Sequence, residues 1–113
     1  MSYYRIQSSA YDVQLILDPE YQTSENYSDP EDIRAGKSVC TSPEALAEYL
    51  AQTGIPFDDS YLLVELDGYA SDDEDADAHM GAMLIHPTRI ISAQPLTDEF
   101  FDMIGEAFDS LAA

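Results

Sequence analysis

The chain has 113 residues, with 23 Asp and Glu against 4 Lys and Arg, for a formal charge of −19. That balance excludes direct binding to DNA, RNA or an anionic membrane face, which depends on clustered Lys and Arg. The length fits one ordinary domain, and 45% hydrophobic content with 8 Tyr and 4 Phe supports a core rather than disorder. A single cysteine, Cys40, removes intramolecular disulfides and thiolate metal clusters. The start MSYYRIQSS lacks a charged-then-apolar leader pattern, and no apolar run approaches about 18 residues. These features predict a soluble, cytoplasmic domain.

In chain order, Tyr3 to Gln7 alternates with aromatic and β-branched residues and predicts a first strand. Ser9, with Asp12 three residues on, resembles a helix start, and Ala10, Val13, Ile16 and Leu17 follow at helical spacing. Asp18-Pro19 should end that helix, because a residue before proline avoids helical geometry. Residues 18–37 read as an irregular, mostly polar stretch in which Asp29-Pro30-Glu31 opens a short helix ending near Gly36.

Lys37 to Cys40 predicts a short strand. The next helix has Ser42 as N-cap, Pro43 at its first position, an apolar face of Leu46, Tyr49 and Leu50, and Gly54 as its stop. Tyr61 to Leu66 is apolar on both faces and predicts a central strand. Residues 67–79 read as a solvated acidic loop. Ala82 to Ile85 and Arg89 to Ala93 read as two strands broken around His86-Pro87-Thr88. Thr97 caps a last helix with Phe100 or Phe101, Ile104, Phe108 and Leu111 facing inward. The expected fold is α+β: one small domain, 1–113, with a mixed, mostly antiparallel sheet packed against two or three helices.

The acidity is local. Residues 58–77 carry 9 acids and no base, centred on Asp72, Asp73, Glu74, Asp75 and Asp77. On the last helix Glu99, Asp102, Glu106 and Asp109 recur at steps of 3, 4 and 3, forming one stripe opposite the aromatic face. Their axial separations are about 4.5, 6 and 4.5 Å, similar in scale to phosphates along a nucleic-acid strand. Glu44 and Glu48 form a smaller pair on the middle helix. No Lys or Arg sits four residues on from any of these, although such a pair would stabilise a helix by about 0.2–0.5 kcal/mol.

Catalytic and metal chemistry finds little support. Asp73-x-Asp75-x-Asp77 has the alternating carboxylates of a calcium loop, but Ala78 replaces the turn glycine and Leu84 the closing glutamate. His79 and His86 lack a metal-ligand spacing, and Cys40 has no accompanying oxyanion or phosphate-loop motif. The expectation is therefore a protein without cofactor or catalytic residues. In composition alone, the charge pattern resembles acidic nucleic-acid mimics such as inhibitors of restriction or CRISPR systems. That likeness implies a non-enzymatic inhibitor or regulator that occupies a basic, nucleic-acid-binding surface of a partner protein. Its contacts would be Glu99, Asp102, Glu106 and Asp109, with Asp72 to Asp77, Glu44 and Glu48 as further patches. The alternatives are an immunity or antitoxin-like protein that neutralises a cationic toxin, and a salt-adapted acidic domain.

Overall fold

The computed structural model describes residues 2–26 and 29–112. Strands are β1 (Tyr3–Ser8), β2 (Thr23–Asn26), β3 (Asp29–Ala35), β4 (Lys37–Val39), β5 (Tyr61–Ala70) and β6 (Met83–Pro95). Helices are α1 (Pro43–Thr53) and α2 (Asp98–Ala112), with short 3-10 turns at Val13–Leu17, Pro19–Tyr21 and Ala78–Met80. Strands β1, β5, β6 and β4, in that order, form an antiparallel sheet, and β2 pairs with β3 in a separate antiparallel ribbon. The fold is α+β, as expected, and every described strand pair is antiparallel.

The sheet curls until its two outer strands meet. Tyr4 and Cys40 exchange both backbone hydrogen bonds, at 2.8 and 2.9 Å, joining β1 to the residue after β4. Alternation then sorts the side chains of β1. Tyr4 and Ile6 join a cluster with Cys40, Leu46, Tyr49, Leu50 and Phe100 from the helix layer. Tyr3 joins Ile16, Val39, Val64, Leu66 and Ile85 on the other side. Arg5 and Gln7 follow Tyr3 on that second face by the two-residue period of a strand.

Several sequence expectations change. The predicted first helix is a 3-10 turn, because Asp12 rather than Ser9 caps it, accepting from the Gln14 N–H, and Asp18 closes it at once. Between residues 18 and 37 the ribbon β2–β3 replaces the irregular stretch, and β3 replaces the short helix. Asp29 precedes a proline, which favours extended geometry, and a two-stranded ribbon tolerates Pro30 at its edge.

The break at His86-Pro87-Thr88 is absent, and one continuous strand β6 runs through it. Gly68 pairs with Pro87 and Asp67 with Arg89, so Thr88 is the extra residue of a bulge that accommodates the proline. A Cβ at Gly68 would lie 2.5 Å from the His86 carbonyl oxygen, so this crossing needs glycine. β5 lies between β1 and β6, the interior position its two-sided apolar pattern predicts. α1 matches its signals: Ser42 Oγ accepts from the Ala45 N–H, and Gly54 closes the helix in the left-handed region at φ 63°.

Candidate functional site: an acidic helix face and a strapped acidic loop

α2 is capped by Thr97, whose Oγ1 accepts from the Phe100 N–H at 3.1 Å. Phe100 is buried in the helix-side cluster, Met103 and Ile104 pack against it, and Phe101 stacks on Phe57 at 6.1 Å. The inward face ends there. Phe108 and Leu111, expected to face the core, are 59% and 57% exposed, because only the first two turns are covered. The helix leaves Glu99, Asp102, Glu106 and Asp109 exposed. At about 100° per residue they fall within a sector of about 80°. None of the four makes an ion pair or side-chain hydrogen bond with a described residue. Each like-charge neighbour at i+3 or i+4 weakens the helix by about 0.2–0.5 kcal/mol, which the packing of Phe100 and Ile104 offsets. Glu44 and Glu48 are likewise exposed on α1, which packs beside α2.

The acidic loop differs from a free solvated run. β5 continues to Ala70, so Asp67 is a strand residue, paired with Arg89 across the sheet at 3.7 Å. The following segment is tied down by its own carboxylates. Asp73 Oδ2 accepts from the Ala35 N–H at 2.7 Å, and Arg34 donates to the Glu74 carbonyl. Asp75 is buried, at 8% exposure, and accepts from Ser38 Oγ at 2.5 Å and from the Asp77 N–H at 2.8 Å. Asp77 accepts from the Tyr49 hydroxyl at 2.8 Å. Burial, then that bond to Asp77, pushes the Tyr49 hydroxyl well above its usual range. Alternate acids thus fasten the loop to β3, β4 and α1, while Asp72, Asp73 and Glu74 stay exposed. Asp75, expected to be a contact residue, lies beneath this surface rather than on it.

The other candidates are placed apart. Cys40 is fully buried, and burial first, with Asp75 second, pushes its thiol up to about 11, which disfavours the thiolate a nucleophile needs. His86 Nδ1 lies 3.1 Å from Gln22 Oε1, and its ring lies 5.1 Å from Tyr69. His79 is exposed on the 3-10 turn. Among the described residues, no group of three or more His, Cys, Asp or Glu is arranged to hold a metal ion. No described helix is long and apolar enough to cross a membrane.

Sequence reasoning missed two cations. Arg5 is partly buried on β1, and among the described residues its side chain makes one hydrogen bond, from Nη1 to the Ser38 carbonyl at 3.4 Å. Its Nε is sealed from solvent with no partner among the described residues, and burial lowers its pKa to about 10. Lys37 on β4 donates to the Thr23 carbonyl at 3.3 Å, and burial, then the charge of Arg5, lowers its pKa to about 8. The available signal was the alternation of β1, which puts Arg5 on the same face as Tyr3. No family model, curated protein or solved structure matches the chain.

Proposed function

We propose that this chain is a non-enzymatic acidic binding protein of the cytoplasm that occupies a basic, nucleic-acid-binding surface of a partner protein. The observation that supports the reading is the face of α2. Four exposed carboxylates stand in one stripe without a described cation beside them, at like-charge spacings that cost helix stability. A surface of that kind attracts a cationic groove at long range and releases its counterions on contact, as nucleic acid does. Asp72, Asp73 and Glu74 form a second exposed patch held in place by the internal bonds of Asp73, Asp75 and Asp77. Glu44 and Glu48 add charge on the neighbouring helix. The reading requires neither a cofactor nor a catalytic residue.

Capture from host lysate on immobilised protein tests it, with Asp102→Lys/Glu106→Lys as the paired variant. The expected result is a basic nucleic-acid-binding protein retained at low salt, released as salt rises, and lost with the charge-reversed variant. Equal retention of that protein by the variant would remove the α2 stripe from the account. Melting temperature against salt separates the salt-adapted alternative. Self-repulsion screened by simple salt saturates by about 0.2 M, where the Debye length is under about 8 Å, whereas a rise continuing to molar salt marks salt adaptation.

A further inference from the structure

A small cleft opens on the face of the sheet opposite the helices. It is lined by Gln7 of β1, Lys37 of β4, and Tyr11, Leu15, Ile16 and Tyr21 from the segment crossing over them, with a volume of about 160 Å³. That is the size of the engineered cavity, about 150 Å³, that takes up benzene. Its floor is apolar through Leu15 and Ile16, while Tyr11 and Tyr21 stand at 64% and 51% exposure at its rim.

Charge sets this cleft apart from the rest of the molecule. Lys37 lines it, and Arg5 lies on the Gln7 face of β1, one alternation further along the strand. These are two of the four Lys and Arg in a chain with 23 acids, yet neither forms an ion pair with a described carboxylate. A cation withdrawn from water without a counter-charge is unfavourable, and buried donors in native proteins ordinarily have partners. The Nε of Arg5 has none among the described residues. With acids so abundant, a compensating Asp or Glu was available at little cost. The cleft presents Gln and Tyr instead.

We propose that this cleft is a binding site for a small molecule carrying one oxyanion on a planar, apolar body. The oxyanion meets the Lys37 ammonium, with the Arg5 guanidinium behind it raising the local positive potential. Gln7 offers an amide donor. The planar body lies on Leu15 and Ile16 between the rims formed by Tyr11 and Tyr21. The site uses none of the acidic faces assigned to the partner surface, so the two readings stand or fall separately.

Nitrogen-15-labelled protein titrated with phenyl phosphate tests the site, with inorganic phosphate and benzyl alcohol as probes of each half. The expected result is saturable perturbation of the Gln7, Leu15, Ile16 and Lys37 amides with a Kd of about 1 mM or tighter. Each half-probe should bind at least about tenfold more weakly, and Lys37→Met should weaken phenyl phosphate by a similar factor. Arg5→Lys keeps the positive charge behind Lys37 and should weaken binding by a smaller factor than Lys37→Met. The absence of saturable perturbation in the wild type, or unchanged binding by Lys37→Met, would overturn the proposal. Benzyl alcohol or inorganic phosphate binding as tightly as phenyl phosphate would overturn it equally.

Discussion

Replacing Asp75 by Ala tests whether the acidic loop is held by its own carboxylates. The wild-type side chain accepts from Ser38 Oγ at 2.5 Å and from the Asp77 N–H at 2.8 Å, and is 8% exposed. A hydrogen bond to a charged acceptor contributes about 1.5–3 kcal/mol, so two set a gross loss of about 3–6 kcal/mol. Two gains oppose it: a buried carboxylate no longer has to be desolvated, and a chain of −19 loses one charge. Taken together at about 1–3 kcal/mol, these gains leave a net loss of about 2–3 kcal/mol. For 113 residues at about 2.1 cal/mol/K each, the unfolding entropy is about 0.24 kcal/mol/K, which turns that loss into a fall in Tm of about 8–12 °C. Thermal and urea unfolding of wild type, Asp75→Ala, Ser38→Ala and the double variant give the coupling directly, and it should be at least about 1 kcal/mol. An Asp75→Ala protein as stable as the wild type, or additive single effects within about 0.5 kcal/mol, would refute the reasoning.

Other outcomes follow from the same geometry. Cys40, fully buried with its thiol pushed up to about 11, should react with a disulfide reagent at pH 8 only as fast as the protein opens, and at once in denaturant; rapid native labelling would contradict its placement. Phe100→Ala should cost about 3–5 kcal/mol in urea unfolding, while Phe108→Ser, at 59% exposure in the wild type, should change stability by about 0.5 kcal/mol or less. Lys37 titrates near 8 in the folded chain against 10.5 ordinarily, so from about pH 8 to 10.5 the unfolded state holds the extra proton and stability gains with rising pH. Relative to Lys37→Met, the wild type should therefore improve across that window, and a constant difference would contradict the burial of the ammonium.

Local signals made some elements legible and left others hidden. α1 could be read because Ser42, Pro43 and Gly54 each act within one turn of the helix end they set. β5 could be read because its apolar residues face both ways and it has a strand on either side. The ribbon β2–β3 was hidden because TSEN and DPEDIRA carry no alternating apolar pattern. The continuity of β6 through Pro87 depends on a bulge opposite Gly68, a partner nearly twenty residues away in sequence.

At the site, helical spacing alone was enough to place Glu99, Asp102, Glu106 and Asp109 on one face. How far the core reaches along α2 depends on the rest of the fold, so the exposure of Phe108 and Leu111 was not readable from spacing. The burial of Asp75 was hidden for a similar reason. Its donors are Ser38, far back in the chain, and the backbone of Asp77, and composition alone makes the run look uniformly solvated.

The central claim is that the α2 face takes the place of nucleic acid on a basic partner. The most direct measurement uses the captured partner, purified, with a fluorescent oligonucleotide already bound to it. Wild-type protein should displace the oligonucleotide to completion at a defined stoichiometry, and Asp102→Lys/Glu106→Lys should fail at the same concentration. A complex in which protein and oligonucleotide bind the partner together, without displacement, would contradict the claim.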